Sequence, residues 1–146
     1  MLGSEAKPDL FPKVLWVSIK KGTRETGEME DKAARYFEEQ HILKINEDFR
    51  VFTDMVQHWF DTYSKEQGSL TGLREIVQDS VKSWYEQALI ETIIGLQALR
   101  GSKEWPTNTL QEAWSEVALT SVVMQRYHPY NSIKRDLGTR IASLKK

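Results

Sequence analysis

The sequence predicts a mostly helical α+β fold, with two short N-terminal strands and a small helix between them, followed by four helices in a bundle-like core. Three observations indicate this class. Residues 13–19 are rich in β-branched and aromatic types. From residue 48 onward, apolar residues recur every three to four positions. Residues 88–99 are apolar on nearly every side of their predicted helix, which is typical of a central helix or of a subunit contact.

The two predicted strands cover residues 13–19 and 42–45. The near-continuous hydrophobicity of the first strand indicates burial on both of its faces. Between them, apolar residues recur every four positions from Met29 and predict a short helix over 27–40. A strand–helix–strand unit of this length suits a parallel pair with a right-handed crossover, and an antiparallel pair is also open.

The four longer helices are predicted over about 48–63, 69–101, 109–128 and 132–144. Asn46 is a favourable N-cap for the first, and Gly101 ends the second because glycine tolerates a left-handed backbone. Thr109 and Glu112 form a capping box for the third, which Pro129 ends. We expect the second and third helices to pack as an antiparallel core pair.

Composition limits the classes of function. The chain has 146 residues, enough for one core, and a formal net charge of −1, which argues against nucleic-acid partners. The lack of cysteine excludes disulfides and thiolate sites and favours a cytoplasmic location, and no segment is apolar enough to suggest a membrane partner. Residues 1–11 are predicted to be a flexible N-terminal segment and 12–146 a single domain, whose abrupt polar ends suggest excision from a longer protein.

A loop with the glycine spacing of a phosphate-binding motif joins the first strand to the small helix. Gly22 and Gly27 have that spacing, but Glu28 and Met29 stand where the motif needs Lys and Ser or Thr. A solvated connection in which the glycines serve backbone turns is the better interpretation.

Two patterns resemble metal sites. Asp54, His58 and Asp61 share a helix face, but it lies opposite the apolar stripe and is predicted to be solvated. Glu38 and His41 form a single Glu-x-x-His, which di-iron bundles use twice, and His41 suits a helix-capping role. We therefore predict no metal and no cofactor. The apolar stripe consists of Phe49, Phe52, Val56, Trp59 and Tyr63.

The densest polar cluster surrounds a predicted helix–helix turn at 126–135. Cations mixed with aromatic rings suit phosphates and stacked bases, although Pro129 and a following cap explain the same residues as a capped corner. The candidate ligand-binding residues are Arg126, His128, Tyr130, Lys134 and Arg135.

The over-apolar second helix supplies the candidate interface residues Ile90, Ile94 and Leu96. Glu91 is a polar residue on the same helix, and a buried carboxylate there could serve as an acid or base, although a structural partner explains it as well. No catalytic residue is assigned, because the chain has neither a nucleophile elbow nor a zinc-protease motif.

Several segments together resemble the C-terminal region of large bacterial proteins with an N-terminal ATPase of the GHKL type, the class of gyrase B and the histidine kinases. They are 13–18 (KVLWVS), 31–36 (DKAARY), 45–55 (INEDFRVFTDM), 84–92 (WYEQALIET) and 124–128 (MQRYH). The resemblance implies a non-catalytic part of an ATP-driven protein. The ATPase motifs have no counterpart here, so no catalytic role is carried over.

We therefore expect a non-catalytic interaction or dimerisation domain, the accessory domain of an ATP-binding protein. Its partners would be the remainder of the parent polypeptide or a second copy of the chain. The first alternative is a ligand- or nucleic-acid-binding module that uses the turn at 126–135. The second is an enzyme that combines Glu91 with a basic residue of that turn.

Overall fold

A small sheet followed by a layer of helices confirms the α+β class. The computed structural model describes residues 10–67, 71–124 and 127–144, except the side chains at 67 and 127–132. Within those ranges the elements are β1 Lys13–Val17, β2 Ala34–Phe37, β3 Ile42–Asn46, α1 Arg50–Gln67, α2 Leu73–Ala98, α3 Thr107–Ala113, α4 Glu116–Val123 and α5 Tyr127–Leu144.

The sheet has the strand order β1-β3-β2. β1 pairs with β3 in parallel, which settles the open question of strand direction, and β2 pairs with β3 antiparallel. Trp16 lies opposite Ile45. β1 is therefore an edge strand, and its residues before Val17 are exposed or half-buried. The prediction that β1 is buried on both faces is wrong, because among its five residues only Val17 is buried.

The helix predicted over 27–40 is also wrong. This segment forms a series of turns and then β2. Met29 has a φ of 53°, which an α-helix does not accommodate. In β2, Ala34 and Tyr36 are buried while Arg35 is exposed, which is the alternation of a strand. The apolar residues that recur every four positions therefore lie partly in turns and partly in β2, and their spacing does not reflect a helix.

Helix α1 begins at Arg50, and the predicted N-cap role of Asn46 is wrong. Asn46 is the last residue of β3, and its Nδ2 donates to the carbonyls of Met29 and Lys32 at 3.0 Å each. Its Oδ1 accepts a hydrogen bond from Asp48 N at 2.9 Å. Asn46 therefore connects the turn before β2 to the turn that leads into α1, which begins four residues later. The predicted apolar stripe of α1 is confirmed, since all of its members are buried: Phe49, Phe52, Val56, Trp59 and Tyr63.

Helix α2 is the central helix, and α1, α4 and α5 all pack against it. Its fully buried side chains follow one face, from Leu73 through Tyr85 to Ile93. The predicted central position of this helix is confirmed. In its second half, Leu89 and Ile93 are buried, whereas Ile90 and Ile94 are partly buried and Glu91 is exposed. The predicted glycine stop is confirmed, because Gly101 has a φ of 89° in the turn after the helix.

The single helix predicted over 109–128 is two helices, α3 and α4. Thr109 lies inside α3, so the predicted capping box is wrong. Ser115 is extended, and its Oγ accepts a hydrogen bond from Ala118 N at 3.2 Å, which caps α4. The predicted pair of long core helices is therefore replaced by α2 with α1, α4 and α5 around it.

Helix α5 begins at Tyr127, five residues before its predicted start. Pro129 lies in its first turn, where a missing N–H group leaves no helical hydrogen bond unmade. The prediction that Pro129 ends the preceding helix is therefore wrong. The sequence predicts one apolar face for this helix, made of Ile133, Leu137, Ile141 and Leu144. The first three are buried, but Leu144 is 41% exposed at the end of the helix.

Aromatic rings join the sheet to the helices. The ring centroid of Trp16 lies 5.1 Å from that of Phe52 in α1, which in turn lies 5.2 Å from that of Tyr85 in α2. Trp16 Nε1 donates to Glu86 Oε2 at 2.6 Å. This contact fixes the edge strand to the central helix.

Candidate functional site

The loop between β1 and β2 is organised around a buried arginine. Arg24 Nε donates to Asp48 Oδ2 at 3.1 Å, and its Nη1 donates to the carbonyl of Glu28 at 2.7 Å. Gly22 and Gly27 have φ values of 71° and 91°, which confirms their predicted role in turns. The segment from Gly22 to Gly27 is thus folded around its own internal cation, which favours the predicted role of a structural connection.

The polar face of α1 is solvated, as predicted. Asp54, His58 and Asp61 are all exposed, and Asp61 accepts a hydrogen bond from Gln57 at 2.8 Å. Over residues 10–67, 71–124 and 127–144, no group of three or more His, Asp or Glu side chains could hold a metal ion.

His41 lies in the turn between β2 and β3, so its predicted helix-capping role is wrong. Its Nδ1 is 2.6 Å from the hydroxyl of Tyr36, which also accepts a hydrogen bond from Gln97 Nε2 at 2.8 Å. Burial raises the pKa of Tyr36. The nearby Glu38 pairs with Arg100 at 2.7 Å. These contacts tie the hairpin to the C-terminal end of α2.

Glu91 does not occupy a buried position. Its side chain is exposed and accepts a hydrogen bond from Gln87 at 3.2 Å. The acid–base hypothesis depended on a buried carboxylate. The position of Glu91 removes that basis.

The segment predicted as a turn at 126–135 is helical from Tyr127 onward. Lys134 and Arg135 are exposed on α5. Arg126 and the side chains of His128 and Tyr130 lie outside the described residues.

The predicted interface residues on α2 are only half exposed. Ile90, Ile94 and Leu96 are all partly buried, and Ile90 and Leu96 pack against the core. The assignment of an interface to these residues stays a prediction.

The free edge of β1 is a surface that the sequence patterns do not reveal. Lys13 N donates to the carbonyl of His41 at 3.0 Å, and Glu47 N donates to the carbonyl of Val17 at 2.9 Å. Backbone groups alternate in direction along a strand, so Val14 and Trp16 point their N–H and C=O groups away from β3. Within the described ranges, no strand pairs with that side of β1.

The edge strand is apolar and lightly protected. Lys13 is its only charged residue, and Leu15 is half-buried on the sheet face opposite Trp16. The opposite edge differs, because α4 packs against β2 and Thr120 Oγ1 accepts a hydrogen bond from Ala33 N at 2.9 Å. Proteins commonly cover or charge the edge of a sheet, so an apolar edge that no strand among residues 10–67, 71–124 and 127–144 pairs indicates a contact surface.

One sequence signal for this edge exists. Pro12 directly precedes β1, and proline in sheets is confined to edge strands, strand starts and bulges. The continuous hydrophobicity of residues 13–19 favoured an interior strand instead, because it is also the pattern of an interior parallel strand.

No family model, no curated protein and no solved structure matches this chain. In the described part of the chain, no helix is both long and apolar enough to cross a bilayer. Function is therefore inferred from the geometry of the chain itself.

Proposed function

We propose that this chain is a non-catalytic interaction domain that dimerises through the free edge of β1. The backbone groups of Val14 and Trp16 on the side of β1 that no described strand pairs, together with the apolar character of the strand, carry this proposal. In a longer protein of the GHKL ATPase type, as the resemblance suggests, such a contact would join two polypeptides through their accessory domains.

A second copy of the chain fits this edge by symmetry. An antiparallel pair centred on Leu15 places Val14 opposite Trp16 of the second copy, and both residues point their backbone groups outward. Residues so paired exchange both of their N–H···O bonds. The same register places Lys13 opposite Val17 of the second copy, so like charges do not face each other. The two sheets then form one continuous sheet, in which each copy of β1 is paired on both of its sides.

Charge substitution at the symmetry centre tests the proposal. Leu15 faces its own copy in this register, so Leu15→Glu places two carboxylates together and Leu15→Lys places two ammonium groups together. We expect the unmodified chain to sediment as a dimer and each variant to sediment as a monomer. An equimolar mixture of the two variants should dimerise again, because the opposed charges are then complementary.

Two control variants separate this contact from other surfaces. Val117 is 64% exposed on α4, and Val117→Glu should leave the dimer unchanged. Ile94→Glu probes the predicted α2 interface. A monomeric unmodified chain would refute the dimer, and dissociation by Ile94→Glu but not by Leu15→Glu would move the interface to α2.

A further inference from the structure

A groove lies at the end of the sheet where β1 and β3 finish. Because these strands are parallel, their carboxyl ends at Val17 and Asn46 lie side by side. The groove runs between this end of the sheet and the helices α1 and α2, and its volume is about 670 Å³. Ligands of open α/β sheets bind outside the carboxyl ends of parallel strands, in pockets of roughly 300–1,000 Å³.

Basic side chains outnumber acidic ones along this groove. Asp48 is one of the two acidic residues of the groove. Its Oδ2 accepts a hydrogen bond from Arg24 Nε at 3.1 Å, and Arg24 does not line the groove. The negative charge of Asp48 is therefore paired with a cation outside the groove. The charged lining residues are Lys20, Lys21, Arg74, Lys82, Glu47 and Asp48.

The second carboxylate, Glu47, holds two of the lysines. Its Oε1 is 2.8 Å from Lys82 Nζ and 3.2 Å from Lys21 Nζ. Burial favours the neutral form of Glu47, but the two lysines outweigh burial and lower its pKa. A single negative charge balances only one of the two ammonium groups, so positive charge remains in the groove.

Two of the cations are held in place by aromatic rings. Lys82 Nζ lies 5.0 Å from the ring centroid of Trp16, and the Arg74 guanidinium lies 4.3 Å from that of Phe60. Arg74 also donates to Gln57 Oε1 at 3.1 Å. Such contacts restrict long side chains before a ligand arrives, which lowers the entropic cost of binding.

We propose that this groove binds a small molecule that carries a phosphate group. Lys21 and Lys82, whose ammonium groups contact the same oxygen of Glu47, supply charged donors to the phosphate oxygens. Arg74 adds positive charge elsewhere along the groove. The site uses no backbone group of β1, so its test is independent of the proposed dimer.

Calorimetric titration with phenyl phosphate and with inorganic phosphate tests the site. We expect saturable binding of both ligands, and the binding should weaken as the salt concentration rises. Lys82→Gln should weaken phenyl phosphate binding about tenfold, as expected for one lost charged contact. Lys103→Gln, the same charge change on an exposed loop residue, should leave the affinity unchanged.

Removal of the negative charge of Glu47 should have the opposite effect on the affinity for phenyl phosphate. Glu47→Gln frees both lysines for the ligand and should raise the affinity for phenyl phosphate. If Lys82→Gln does not fold, as judged by far-ultraviolet circular dichroism, the exposed Lys20 provides the variant Lys20→Gln, which should also weaken binding. Equal weakening by Lys82→Gln and Lys103→Gln, absence of saturation, or tighter binding of a single-stranded oligonucleotide than of phenyl phosphate would overturn the proposal.

Discussion

The hydroxyl groups of two buried tyrosines differ in their hydrogen bonding. Tyr36 shares its hydroxyl with His41 and Gln97. The hydroxyl of Tyr85 is buried and has no hydrogen-bond partner within the described part of the chain. Burial raises the pKa of Tyr85 as well. An unpaired buried hydroxyl costs free energy, whereas a paired one contributes to stability.

Removal of each hydroxyl should therefore have opposite effects on the free energy of unfolding. Tyr85→Phe keeps the ring contacts with Trp16 and Phe52 and should stabilise the protein by about 1 kcal/mol. Tyr36→Phe should destabilise it by about 1 kcal/mol. Urea unfolding followed by circular dichroism measures both. A loss of stability in Tyr85→Phe would indicate that its hydroxyl has a partner.

At the scale of elements, long periodic segments were predictable and short ones were not. α1, α2 and α5 each bury residues at helical spacing over many turns, so their existence could be read from the sequence. β2 has only four residues, too few for alternation to stand out against the fourfold spacing that begins at Met29. The break at Ser115 was missed because the apolar pattern continues across it.

The cap at Ser115 can be tested directly. Ser115→Ala removes the hydrogen bond to Ala118 N and leaves the first turn of α4 with an unsatisfied donor. We expect a loss of about 1 kcal/mol in the free energy of unfolding. Ser121→Ala, on the exposed face of the same helix, should change stability much less, because its Oγ bonds only to the carbonyl of Val117 within the helix. Equal effects of the two substitutions would show that Ser115 is not a cap.

At the scale of the whole molecule, one buried cluster extends from Leu43 in the sheet through α2 to Ile141 in α5. Its continuity explains why the fold class was predictable, since the class depends on the overall pattern of apolar residues. The free edge and the groove were not predicted, because each depends on strand order, and Pro12 before β1 is also compatible with the start of an interior strand. The groove also combines side chains from the ends of β1 and β3, from α1 and from α2.

A continuous cluster predicts cooperative unfolding. Leu89 is fully buried at the centre of α2, and Leu89→Ala should lower the free energy of unfolding by about 3 kcal/mol. Tryptophan fluorescence and circular dichroism should shift together, because the sheet and helices share this cluster. The half-buried Ile90 provides the comparison, since Ile90→Ala should cost less. Separate transitions for the two signals would show that the sheet and the helices unfold independently.

The contact between Trp16 and Glu86 joins residues 70 positions apart. A chain leaves the ribosome from its N-terminus, so all three strands emerge before the helix that covers them. Three strands of four or five residues are too short to be stable without that cover. The nascent sheet therefore remains unformed, with its apolar residues accessible, until α2 has been synthesised. Binding of chaperones to the emerging chain would be concentrated in that interval.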